Sequence, residues 1–131
     1  MLAETNLEKL LQSMQPVLKK GIFVFANVPL DKEQQAKDCC IQYFQEEEGM
    51  ASILRKEDAK RLGLEAVYES RMISLMVHSS LDAVGFLAAI TTRLASAGIS
   101  VNPVSAFYHD HLFVPVDKAD LAMELLTEFS S

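Results

Sequence analysis

The stretch RMISLMVHSSLDAVGFLAAITTRLASAGISVNPV, residues 71–104, predicts a strand, a polar turn, a helix and a second strand. The first strand runs from Arg71 to Val77, and the helix runs from Phe86 to Ala97 with Gly98 at its end. The turn between them, His78 to Gly85, places backbone N–H groups and short polar side chains at a helix N-terminus. A small anionic ligand can be held there, so this stretch favours a binding protein.

The rest of the second half continues the same alternation of strands and helices. Ser79 or Ser80 is predicted to cap the first helix, with Asp82 in its first turn. After Ile99 to Val104 a further strand follows, and Asp117 is predicted to cap a last helix. The predicted order is β-α-β-β-α, and the chain then ends without another strand.

The first half has weaker signals, which still predict both helices and strands. A capping-box match at residues 5–8 opens a helix that Pro16 ends, and Val17-Leu18 is a short extended piece. IFVFANV, residues 22–28, predicts a buried strand, whereas the polar residues 29–37 predict a loop. The remaining predictions are a hairpin from residues 40–45 and 50–54 with an acidic tip, and a helix over 56–62 capped by Gly63.

Composition excludes several classes of function. With 131 residues, half of them hydrophobic, the chain suits one compact domain or two small modules packed together. A net charge of −6 with scattered Lys and Arg argues against nucleic acid as a partner. Because no membrane span or secretion signal is visible, the expected location is cytoplasmic, with no membrane partner. The only cysteines, Cys39 and Cys40, are adjacent, diverge if they lie in a strand, and cannot staple distant parts of the fold.

Three segments together resemble the ACT domain, a small βαββαβ ligand-binding module attached to enzymes of amino-acid metabolism. They are MVHSSLDAVG (76–85), AGISVNPV (97–104) and FYHDHLFVPV (107–116). The chain is most similar to tandem ACT proteins without a catalytic domain, related in fold to CASTOR-type arginine sensors. The resemblance implies an α+β protein of two ferredoxin-like units, residues 1–69 and 70–131, with antiparallel sheets and helices on one face. It also implies a homodimer or higher homo-oligomer, with a small ligand, often an amino acid, at an interface.

One departure from the ACT pattern makes a structural prediction. A complete ACT unit has a final strand after its second helix, and the second half of this chain has none. An uncovered sheet edge exposes unpaired N–H and C=O groups. We therefore expect an extended piece of the first half, near Pro16–Leu18 or Ile22–Val28, to pair into the second unit's sheet and be shared between the halves.

The predicted ligand site centres on the turn before the long helix. Gly85 lets a ligand approach the backbone, the neighbouring amides suit a carboxylate, and Asp82 or Asn102 suits an α-ammonium group. The alternative is structural: Gly85 serves packing, Asp82 caps, and Asn102 supports a turn. The predicted binding residues are Ser79, Ser80, Leu81, Asp82, Val84, Gly85, Phe86, Ile99, Ser100 and Asn102.

Other chemistry is less well supported by the residue pattern. His109 and His111 on one continuous strand would begin a metal site, whereas His109-Asp110 at a hairpin tip would make the imidazoles diverge. Ser79 or Ser80 with His78 or His109 and Asp110 has the residue types of a hydrolytic triad, but no Gly-x-Ser-x-Gly turn is present. No cofactor motif is found. The sequence thus favours a regulatory amino-acid sensor whose target is unknown, with a protein assembly module as the alternative.

Overall fold

A computed structural model of the chain describes residues 5–130. The helices are α1 (Leu7–Ser13), α2 (Glu33–Cys39), α3 (Lys56–Leu62), α4 (Phe86–Ser96) and α5 (Ala119–Thr127). The strands are β1 (Gln15–Leu18), β2 (Phe23–Val28), β3 (Gln42–Gln45), β4 (Met50–Arg55), β5 (Glu65–Met76), β6 (Asn102–Ser105) and β7 (Asp110–Pro115). This is the α+β, tandem ferredoxin-like architecture that the sequence predicted.

Two compact units make up the chain. One, here called the central unit, is Gly21–Ser70. The other, here called the split unit, combines the residues up to Lys20 with those from Arg71 onward. Strand β5 contributes its first half to the central unit and its second half to the split unit.

The central unit is a four-stranded antiparallel sheet in the order β3-β4-β2-β5. Strand β2 lies in the interior of this sheet, as its apolar sequence predicted. Val24 and Ala26 on β2 pack with Leu54 and Ala59, so the face that carries α3 is the buried one. Helix α3 ends at Leu62, and Gly63 caps it with φ of 67°, both as predicted.

The split unit acquires its last strand from the N-terminal segment. Strand β1 pairs antiparallel with β5, Pro16 opposite Leu75 and Leu18 opposite Ile73, and β7 and β6 follow on the other side. The predicted sharing of an N-terminal strand is therefore confirmed. Helix α1 also attaches the N-terminal segment to the split unit, because Leu10 is buried with only 1% exposed. Leu10 shares a core with Ile73, Leu75, Ile90, Leu94, Leu112 and Val114.

The loop predicted for residues 29–37 is wrong. A 3₁₀ turn at Leu30–Lys32 leads into α2, and Cys39 ends that helix instead of lying in a strand. Helix α2 has seven residues and buries only Ala36, so it has no apolar stripe for a sequence pattern to detect. Ala36 and the partly buried Cys39 pack against buried clusters, and this tertiary packing supports the helix in the absence of an apolar stripe.

Two predicted helix caps also differ from the structure. Gly85, with φ of 91°, is the N-cap of α4, so Ser79 and Ser80 do not cap it and Asp82 precedes its first turn. A 3₁₀ turn at Val116–Lys118 leads into α5, which leaves Asp117 outside the cap position. Asn6, within the predicted capping box, caps α1 by accepting a hydrogen bond from the Lys9 amide. In residues 5–130, no helix is long and apolar enough to cross a membrane.

Candidate functional site

A cavity of about 210 Å³ lies in the split unit, beside the N-terminus of α4. Two segments that are distant in sequence form it: the turn before α4 with that helix's first residues, and the connection between β6 and β7. The lining residues are Ser79, Ser80, Leu81, Ala83, Phe86, Leu87, Ser105, Ala106, His109 and Asp110.

Local hydrogen bonds fix the shape of both segments. In the first, the Ser80 side-chain hydroxyl accepts from the Asp82 amide at 3.0 Å, and the Ser80 carbonyl accepts from the Ala83 amide at 3.0 Å. In the second, the Ala106 amide donates to the His109 carbonyl at 3.0 Å and closes the β6–β7 turn. Each segment is thus a tight turn that presents short side chains to the cavity.

His109 is held by a hydrogen bond to the backbone just after β5. Its Nδ1 lies 3.3 Å from the carbonyl oxygen of Val77, which is a hydrogen-bond acceptor. Nδ1 therefore carries a proton and donates it in this contact. Because β5 ends just before Val77, this bond ties the hairpin that carries His109 to the segment that carries the serines.

His111 has a different environment, although it is only two residues away. Its Nδ1 lies 2.8 Å from the Ser74 hydroxyl. Burial lowers the pKa of the His111 imidazole, and the neighbouring His109 and Lys19 lower it further against the opposing effect of Asp110. His111 therefore favours the neutral form and serves the packing of β7 against β5, not the cavity.

The structure distinguishes between the two predictions for His109 and His111. The hairpin is confirmed, because β6 ends at Ser105 and β7 begins at Asp110. The predicted divergence of the rings is wrong, since their centroids lie 6.4 Å apart in an edge-to-face arrangement. Across residues 5–130 no group of three or more His, Cys, Asp or Glu side chains is placed to hold a metal ion.

The structure brings four of the predicted binding residues to this cavity: Ser79, Ser80, Leu81 and Phe86. Asp82 and Val84 lie exposed on the same turn, outside the lining. Ile99 is buried in the core, while Ser100 and Asn102 are exposed and also outside the lining. These three follow the C-terminal end of α4, at the opposite end of the helix from the cavity.

Gly85 has a clear conformational role at the cavity's edge. Its φ of 91° is one that side-chain-bearing residues rarely adopt. A Cβ added there would lie 3.5 Å from Cδ2 of Leu7, an ordinary contact, so backbone conformation and not close packing requires glycine. This conformation turns the chain sharply into α4 and leaves the helix without a side-chain cap.

Sequence reasoning did not assign six of the lining residues to the site: Ala83, Leu87, Ser105, Ala106, His109 and Asp110. The available signal was the HDH segment, residues 109–111, for which a hairpin tip was one of the two predictions. The missing information was tertiary, because nothing local pairs the β6–β7 turn with the turn before α4.

The cavity lining contains both polar groups and apolar side chains. The Asp110 carboxylate can bind an ammonium group. The hydroxyls of Ser79, Ser80 and Ser105 can bind a carboxylate, and the first amides of α4 lack intrahelical partners. Phe86 and Leu87 supply the apolar part of the lining. The site can therefore accommodate a small zwitterion, which has both charges.

Family models place this architecture in a known class: an ACT domain model matches residues 2–71, and a second matches residues 67–128. The chain belongs to the ACT domain family and carries two such units. ACT domains generally bind small molecules such as amino acids for regulation, and no catalytic domain is evident beside them here. No curated protein sequence matches the chain.

Two solved structures resemble this chain, one in both sequence and fold and the other in fold. A protein of unknown function from Vibrio cholerae, described as a possible transport protein, is 42% identical with a TM-score of 0.84, over 95% of this chain and 96% of that one. The regulatory subunit of aspartate kinase from Thermus flavus has a TM-score of 0.67 at 14% identity, over 88% and 97% of the two chains. At that identity the second likeness concerns the fold alone.

Proposed function

We propose that this protein is an amino-acid-binding regulatory protein that uses the cavity beside α4. The observation that carries the proposal is the joint presence of Asp110 and the N-terminus of α4 in one cavity lining. An α-amino acid has an ammonium and a carboxylate one carbon apart. In this arrangement the ammonium contacts Asp110, and the carboxylate accepts from the serine hydroxyls and helix amides.

The size of the cavity supports a small ligand. Its 210 Å³ lies below the range of about 300–1,000 Å³ typical for drug-sized ligands. Phe86 and Leu87 then contact the ligand's side chain. Membership in the ACT family supports the same class of ligand, because amino acids are common ligands of these domains.

Regulation follows if a second copy of the chain covers the cavity. Phe107 on the β6–β7 turn is 74% exposed and Leu81 on the cavity rim is 70% exposed, so both are available for contact with another protein. A ligand held by both copies stabilises the assembled form over the free one. In this mechanism the amino acid acts by shifting the oligomeric state, which a regulated partner then detects.

Sedimentation velocity with and without a mixture of the twenty amino acids tests this mechanism. We expect the amino acids to move the distribution toward one oligomeric form. A Phe107→Ser variant should lose that shift, whereas Leu30→Ser, an exposed apolar residue of the central unit, should retain it. A distribution that does not respond to amino acids contradicts the regulatory mechanism.

A specific observation also favours a second function, that of an assembly module without a metabolite. Strand β3 is an edge strand, and Phe44 on it is 66% exposed beside the half-exposed Tyr43. Exposed apolar edges invite pairing with another chain. Association that depends on protein concentration, ignores amino acids and is lost in Phe44→Asp would support this function instead.

A further inference from the structure

We propose that the central unit contains a second ligand site, separate from the cavity beside α4, for a small monoanion with an apolar chain. A cavity of about 380 Å³ lies between α3 and the first half of β5. This volume falls within the range of about 300–1,000 Å³ usual for small-molecule sites. The proposal goes beyond the amino-acid site, because the two cavities share no residue.

Apolar side chains form one part of this second cavity. Val24 and Ala59 belong to the buried cluster between α3 and the sheet, and Leu64 packs against that cluster. Ala66, opposite Ala26 in the sheet, is exposed, whereas Ala26 is covered. Helix α3 therefore covers β2 and leaves the adjacent part of β5 open. The cavity lies over this uncovered part of β5, beside the helix.

Charged side chains form its rim. Lys56 and Lys60 are four residues apart on α3, so they lie on the same face of the helix and repel each other. Lys56 pairs with Glu69 on β5 at 2.9 Å, and the two side chains are 49% and 55% exposed. A pair this exposed contributes little stability and opens readily. Counting two ammonium groups and one carboxylate, the rim has a net charge of +1.

The strand at this rim is deformed in a way that serves the site. Phe23 pairs with Ser70 and Phe25 with Val67, so Val24 stands opposite two residues, Tyr68 and Glu69. This is a β-bulge, a feature often found beside binding sites because it redirects side chains. Within it Tyr68 has φ of 65°, which is costly for a bulky residue. The buried Ser70 hydroxyl donates to the Phe23 carbonyl at 2.9 Å and holds the deformation in place.

The rim charge and the apolar lining together define the ligand. A monoanion neutralises the net charge of +1, whereas a zwitterion leaves it unchanged. A carboxylate that accepts from Lys56 and Lys60 places an attached aliphatic chain against Val24, Ala59 and Leu64. The chemical class is therefore a small aliphatic carboxylate without an ammonium group, such as a branched 2-oxo acid.

Amide chemical-shift mapping of the full chain, titrated with 4-methyl-2-oxopentanoate, tests this site. Leucine is the matched control ligand, because it has the same aliphatic chain and an added ammonium group. We expect saturable shifts at Ala59, Leu64 and Ala66, with leucine binding at least about tenfold more weakly there. The absence of saturable shifts at these amides with the oxo acid overturns the proposal. Shifts confined to the cavity beside α4 overturn it as well.

Two kinds of variant test separately the charge of the rim and the space inside the cavity. Lys60→Gln should weaken binding of the oxo acid about tenfold, because one of two charged hydrogen bonds is lost. Lys32→Gln changes the same residue type in the central unit outside this cavity and should leave the affinity unchanged. Ala66→Leu, at an exposed position, should block binding by filling space. Equal affinities in the Lys60→Gln, Ala66→Leu and unaltered chains overturn the site.

Discussion

The hydroxyl of Ser74 and Nδ1 of His111 lie 2.8 Å apart, and this contact joins β5 to β7 inside the split unit. Ser74 is only 1% exposed, so its hydroxyl depends on the imidazole for a partner in that direction. His111 in turn is half-buried, and burial lowers its pKa. The burial of His111 therefore makes the stability of the split unit depend on pH.

Stability should fall as the pH falls below the ordinary histidine value. The unfolded chain binds a proton at His111 with a pKa of about 6.5, whereas the folded chain binds it only at lower pH. Below about pH 6.5 the unfolded state is thus protonated first, and the free energy of unfolding decreases. Urea unfolding at about pH 7.5 and about pH 5.5 measures this loss. The same pH dependence in His111→Gln as in the unaltered protein would show that another group is responsible.

The N-terminal segment should be required for the split unit to fold. Leu10→Ala removes a side chain that is buried in that core, and we expect a loss of about 2–5 kcal/mol in the free energy of unfolding. Leu7→Ala, on the exposed side of the same helix, should cost less than about 1 kcal/mol. Urea denaturation measures both. A fragment of residues 71–131 that unfolds cooperatively by itself is the result this account does not allow.

Glycines 63 and 85 form a matched pair for separating stability from binding. Both have left-handed φ, and an added Cβ would meet no atom closer than 3.5 Å at either position. Alanine at each should therefore cost about 1–2 kcal/mol through backbone strain alone. Gly63 lies in the central unit, so only Gly85→Ala should also weaken ligand binding beside α4. Binding that weakens equally in both variants would indicate a general effect of instability.

Cys39 should be a slowly reacting thiol. Burial raises its pKa, Asp58 raises it further, and Arg61 opposes both. The thiolate is the reactive form, so in a Cys40→Ser background iodoacetamide should modify Cys39 more slowly in the folded chain than in urea. Asp58→Asn should speed the reaction and Arg61→Gln should slow it. Rates that do not differ between the folded and unfolded chain would contradict this description.

Strong local signals allowed much of the fold to be predicted. Helix α3 with Gly63 matched the prediction to the residue, and the absence of a predicted final strand in the second ACT unit correctly led to the pairing of Gln15–Leu18 with β5. Helix α2 was missed because one buried alanine, Ala36, gives no periodic pattern. A sequence reveals periodicity and turn chemistry well, whereas single tertiary contacts that hold a short polar helix are invisible to it.

Only part of the candidate site could be predicted, because the sequence again revealed local features and not tertiary contacts. Ser79, Ser80, Leu81 and Phe86 follow from the turn and the helix start, both of which are local features. Asp110 entered the site only when the fold brought the β6–β7 hairpin beside that turn. Gly85 was predicted to admit a ligand or to serve packing, whereas in the fold its φ of 91° turns the chain into α4.

Thermal unfolding against each of the twenty amino acids is the sharpest test of the amino-acid site beside α4. An amino acid at about 100 times its dissociation constant adds about 2.7 kcal/mol, which raises the midpoint by several degrees. We predict a rise with a selective subset, its loss in Asp110→Asn, and its retention in Asp120→Asn, an exposed acid of α5 outside the cavity. No rise with any amino acid, or an undiminished rise in Asp110→Asn, would contradict the proposed site.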